Sequence, residues 1–149
     1  MDKQLLENLS VEAKTWLAHA IAGMISADGM VDKSEMVFLR DAIGFMENVE
    51  DVNALVNMVK AKEKPELQNL KIDRKNAFLI YCELGRLAVV DQKLSVPEVE
   101  FLKYAGSKLG FPEMFCNELV KWAYELMSVL KQETQLMYQA EKMPPVYKK

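Results

Sequence analysis

The sequence predicts an all-α globule built from two pseudo-symmetric helical repeats around one central, nearly all-apolar helix. Three observations point there. Apolar residues recur at helical spacing, as in Trp16, Leu17, Ala20, Ile21, Met24 and Ile25. One pattern is stated twice, 63 positions apart: Asp28 aligns with Asp91, Glu35 with Glu98, Phe38 with Phe101, Leu39 with Leu102 and Ala42 with Ala105. A chain of 149 residues, half of them hydrophobic, makes one ordinary domain in which about 68–70% of the unfolded surface is buried, so neither disulfide nor metal is needed for stability.

The elements follow in order. Ser10 is an N-cap for a helix over 11–27 that carries the first stripe. Met36, Leu39, Ala42, Ile43 and Met46 continue the period in a second helix, and Val52, Leu55, Val56 and Val59 form a third stripe after a break at Asn48-Val49. Residues 60–71 are polar, contain Pro65 and separate the repeats, which span about 10–62 and 73–127. Asp73 caps the next helix, about 74–90, where only Glu83 and Arg86 are strongly polar and are spaced to meet on one side. A helix from Val96 to about Leu109 ends at Gly110, suited to a left-handed residue, with Phe111 as its hydrophobic contact. Gly44-Phe45 repeats that pair at an offset of 66. The last helix, from Glu113 to about Glu141, stops before Met143-Pro144-Pro145, leaving 143–149 as a disordered tail.

The acidic turns between paired helices are the one chemical clue. Asp32-Lys33-Ser34-Glu35 and Ser95-Val96-Pro97-Glu98 both fit a capping box, and Val31 with Met36, or Leu94 with Val99, the accompanying hydrophobic staple. Asp28 and Asp91 are not explained by capping, because each sits at the negative end of the preceding helix; an Asx-type bond to the backbone is the mildest reason for them. The sharper alternative is a divalent cation held by Asp28, Asp32 and Glu35, or by Asp91, Ser95 and Glu98. A standard EF-hand loop is not expected, since Met24 and Ser26, or Leu87 and Val89, would fill its first two ligand positions.

Composition narrows the function classes. Net charge is −3, so no clustered cationic field would draw nucleic acid. No apolar run reaches the roughly 20 residues of a membrane helix, and the N-terminus lacks the order of a signal peptide, so a soluble cytoplasmic protein is expected. Cys82 and Cys116 are isolated and have apolar neighbours, which reads as core thiols and not as redox or metal chemistry. The only histidine, His19, lies beside an apolar stripe and reads as structural, and no phosphate loop or nucleophile elbow is present, so no enzyme is expected. Ten methionines read as core filler, with Met30 in the acidic turn as the exposed exception; Trp16 and Trp122 lie on apolar stripes.

An alanine-rich helix ending in Ala27-Asp28-Gly29, glutamate seven positions on, then Phe38-Leu39-Arg40, repeated as Val90-Asp91-Gln92-Lys93-Leu94-Ser95-Val96-Pro97-Glu98 and closed by Lys108-Leu109-Gly110-Phe111, resembles the tellurite-resistance TerB family over about Ser10 to Leu130. The resemblance implies about seven helices with internal duplication, a bacterial stress or tellurite-resistance setting, and kinship with the N-terminal domain of DjlA-type co-chaperones. It places the family's acidic pattern on Asp28, Glu35, Asp91 and Glu98, with Gln92 departing from the usual glycine. No His-Pro-Asp tripeptide is present, so co-chaperone activity is not implied. The expectation is a non-catalytic binding or adaptor module whose protein partner the sequence does not name, in a cytoplasmic or peripheral membrane-associated complex, with a divalent cation at the acidic turns as the alternative.

Overall fold

The starts of four helices are set by short polar side chains, Ser10, Asn48, Asp73 and Ser95. The computed structural model describes residues 3–27, 29, 33–44, 46, 48–63 and 65–148. These form α1 (Lys3–Asn8), α2 (Val11–Ser26), α3 (Lys33–Ile43), α4 (Val49–Lys60), α5 (Arg74–Val89), α6 (Val96–Lys108) and α7 (Glu113–Lys142), with no strand among the described residues. The Ser10 hydroxyl accepts from the Ala13 N–H at 3.2 Å and the Asp73 carboxylate from the Asn76 N–H at 3.0 Å. Asn48 accepts from the Glu50 N–H at 2.9 Å and so turns the break at 48–49 into the start of α4. Sequence reading missed α1, six residues too short to display a period. It also ran the second helix on to Met46, which packs on the core from outside α3.

Two helices share the centre, where the sequence pointed to α5 alone. Buried residues of α5 include Ala77, Ile80, Tyr81, Leu84, Leu87 and Ala88, while α2 buries Leu17, Ala18, Ala20, Ile21, Ala22, Met24 and Ile25. Small side chains explain how α2 takes this place. A Cβ at Gly23 would overlap the Phe101 ring of α6, so only glycine lets that ring lie on the helix. Gly106 likewise admits the Tyr81 side chain, whose hydroxyl donates to the Leu102 carbonyl at 2.9 Å. Helix α2 packs on α3, α4, α5 and α6, and α5 packs on α6 and α7. Among the described residues no helix is long and apolar enough to cross a membrane.

The described residues at the start of the corners after α2 and α5 make corresponding backbone bonds. Ala27 donates to Met24 and Gly29 to Ser26, each at 3.2 Å; 63 residues later Val90 donates to Leu87 at 3.2 Å and Gln92 to Val89 at 2.8 Å. Gly29 (φ 74°) and Gln92 (φ 62°) are both left-handed. Helix α6 ends as predicted: Gly110 is left-handed (φ 86°), with bonds of 3.0 Å from Gly110 to Ser107 and from Phe111 to Gly106. Gly44 differs from Gly110, because it continues the helical pattern with a 3.0 Å bond to Arg40 and does not take a positive φ; Phe45 lies outside the described residues. Residues 143–148 follow α7 as an exposed segment without helix.

Candidate functional site

At the second acidic turn both carboxylates are engaged with their own backbone. One Asp91 oxygen accepts from the Lys93 N–H at 3.1 Å, the Asx-type bond that a turn-forming aspartate makes. Glu98, 1% exposed, accepts from the Ser95 N–H at 3.1 Å and from its hydroxyl at 2.9 Å, while the Ser95 hydroxyl accepts from the Glu98 N–H at 3.3 Å. This reciprocal pair is the capping box expected at 95–98. In the first turn Glu35 is buried in the opening turn of α3, whereas Asp28, Met30, Val31 and Asp32 lie outside the described residues. Among the described residues no three His, Cys, Asp or Glu side chains come together as a metal would need.

An apolar groove of about 390 Å³ lies between α5 and α7. Phe78, Leu79, Cys82 and Arg86 line it from α5, and Phe115, Glu118, Leu119 and Trp122 from α7. Each set recurs at helical spacing, so two stripes face each other across the gap. The helices run parallel here: the Phe78 and Phe115 rings meet edge-on at 6.3 Å near both N-terminal ends, and two turns on Arg86 lies 5.6 Å over the Trp122 ring. Gly85 allows that approach, since a Cβ there would already stand 3.1 Å from Trp122. Arg86 also donates to Glu83 at 2.9 Å, the pairing expected from their spacing. Phe78, at one end of the groove, is 43% exposed, a large apolar ring left open to solvent.

Cys82 sits on the floor of this groove as a weak nucleophile. Burial pushes its thiol above the ordinary range, opposed in part by the Arg86 charge and reinforced by Glu83. Cys116 is buried, with its sulfur 3.9 Å from the Phe111 carbonyl. His19 donates from Nδ1 to the Thr15 carbonyl at 2.8 Å, a direction fixed by the carbonyl being able only to accept.

Sequence reading placed Trp122 on an apolar stripe of the last helix, whose apolar positions also include Phe115, Leu119 and Ala123. The structure splits them: Cys116, Leu119, Val120 and Ala123 are buried, while Phe115 and Trp122 form the groove rim. The signal was the width of the apolar arc on α7, broader than one packing face uses. Comparison of the chain with family models, with curated proteins and with solved structures finds no match.

Proposed function

We propose that this chain is a non-catalytic binding module whose working surface is the α5/α7 groove and whose occupant is an amphipathic helix of a partner protein. The observation that carries the reading is the pair of facing stripes, with Phe78 of the α5 stripe exposed at one end. Two packed helices offering apolar residues over about two turns match a ligand helix anchored at i, i+3 or i+4, and i+7. Arg86 and Glu118 stand on opposite sides of the gap, so a ligand helix with one acidic and one basic flank is oriented as well as held. The resemblance to the TerB pattern supports a bacterial stress or tellurite-resistance complex as the setting, in the cytoplasm. The raised Cys82 thiol argues against direct thiol chemistry in the groove.

The test is site-specific photo-crosslinking in the native host with a benzophenone amino acid at position 78. The expected product is a crosslink that maps to an amphipathic helical segment. A synthetic peptide of that segment should bind the purified chain and lose about tenfold or more in affinity for Phe78→Glu, a loss of about 1.4 kcal/mol. Val37→Glu, at an exposed apolar position on α3, should leave binding unchanged. Absence of a crosslink from position 78, or an equal loss at position 37, overturns the assignment.

A further inference from the structure

A second cavity, of about 430 Å³, lies elsewhere, between α2 and segment 66–70. Glu12, Thr15, Trp16 and His19 line it from one face of α2, at i, i+3, i+4 and i+7. The opposite wall is the backbone and side chains of 66–70, pinned at three points. Trp16 Nε1 donates to the Gln68 carbonyl at 2.7 Å, the Leu67 N–H to the Tyr104 hydroxyl at 3.0 Å and the Leu70 N–H to the Lys108 carbonyl at 2.9 Å. Pinning from α2 on one side and α6 on the other makes this a fixed wall, so the cavity is preformed.

Its lining is chemically one-sided. Two carboxylates, Glu12 and Glu66, stand at the mouth, and neither is ion-paired among the described residues. With Nδ1 of His19 committed as a donor to Thr15, Nε2 is the ring nitrogen left for a ligand. The indole N–H of Trp16 is already used on Gln68. Among the described residues no lysine or arginine lines the cavity, and Trp16, Leu67 and Leu70 supply apolar surface, including an aromatic ring of the kind that attracts cations.

We infer that this cavity binds a small organic amine, with an ammonium group between the Glu12 and Glu66 carboxylates and the His19 ring and an aliphatic arm against Trp16, Leu67 and Leu70. A bare metal ion would leave the apolar wall unused and a neutral alcohol the carboxylates, so the class that satisfies both is an ammonium on a hydrocarbon arm. The site is separate from the α5/α7 groove and shares no residue with it.

Calorimetric titration of the whole chain with cadaverine tests this, with magnesium chloride at equal ionic strength and 1-pentanol as probes for charge alone and hydrocarbon alone. Saturable one-to-one binding of cadaverine, with neither control binding, is the expected result. Glu12→Gln and Glu66→Gln should each weaken it by roughly two- to fivefold, the range an exposed ion pair spans. The double reversal Glu12→Lys with Glu66→Lys should abolish it. Both side chains are exposed, so these variants keep the fold, which thermal melting checks. Phe78→Glu should bind cadaverine normally, which separates this site from the helix-binding groove. Failure of cadaverine to saturate, binding that magnesium reproduces, or binding that survives the double reversal overturns the inference.

Discussion

At the scale of single residues, three positions show that space and backbone conformation are separate constraints. Gly29 has nothing within 4 Å of where a Cβ would stand, yet its φ of 74° is one that L residues adopt reluctantly. Gly23 is the reverse, an ordinary helical backbone with the Phe101 ring where the side chain would go. Gly29→Ala should therefore cost about 1 kcal/mol through the backbone, and Gly23→Ala about 1–3 kcal/mol through overpacking. Urea denaturation separates the two when Phe101→Leu is added, because the smaller side chain should recover part of the Gly23→Ala loss and none of the Gly29→Ala loss. Gln92 bears the same left-handed strain as Gly29 but has a compensating contact, a 2.7 Å hydrogen bond from its amide to the Thr134 hydroxyl of α7. Gln92→Ala keeps the strain and loses the bond, so it should destabilise by about 1 kcal/mol, while Gln92→Gly relieves the strain and should be close to neutral. Equal losses in both variants would mean that the side-chain bond alone matters. The pairing of Gln92 with a residue 42 positions away explains why the sequence showed only a departure from glycine and no reason for it.

At the scale of elements, local chemistry was legible and distant chemistry was not. The caps at Ser10, Asp73 and Ser95 and the left-handed Gly110 each involve residues within five positions of one another, and each forms as the sequence indicates. Helix α4 ends on a left-handed Lys62 (φ 57°), with Glu63 donating to Met58 at 3.0 Å, and no sequence signal announces it because lysine carries no preference for that conformation. The Asp73 cap yields a pH test. Its carboxyl is held below the usual range, first by the Asn76 backbone N–H and then by the Asn76 side chain. A depressed folded pKa means that its contribution is fully present above the unfolded pKa and is lost as pH falls through the folded one. Asp73→Ala should thus melt at lower temperature than the parent at neutral pH, with the difference narrowing once pH drops below the ordinary aspartate range. Thermal melts of both proteins from neutral pH to the acid limit check this. A constant difference would place the effect in helix propensity and not in the charged cap.

At the scale of the whole molecule, the 30-residue α7 runs about 45 Å by helical rise. Its first half explains why the groove was not legible: a period shows which residues are apolar, while only the position of α5 beside α7 decides that Cys116 and Leu119 are covered and Trp122 is left at a rim. Among the described residues, the last hydrogen bond from the second half to another element is at Thr134, which meets Gln92. Every residue from 135 to 148 is exposed, including Leu136, Met137 and Tyr138. Exposed residues bury little surface on folding, and the stability of a domain follows the surface it buries. Ending the chain after Gln135 should therefore leave both the urea midpoint and the m-value unchanged. Ending it after Leu130 removes the Thr134 hydroxyl, and the loss of one hydrogen bond of about 1 kcal/mol should lower the melting temperature by about 2–4 °C in a domain of this size. Gln92→Gly should make the second truncation nearly silent, because the strained backbone that the bond holds in place is then relaxed. A large loss from the shorter deletion would mean that the distal helix covers surface on the folded body, and the boundary of the stable unit would move from Thr134 to the end of α7.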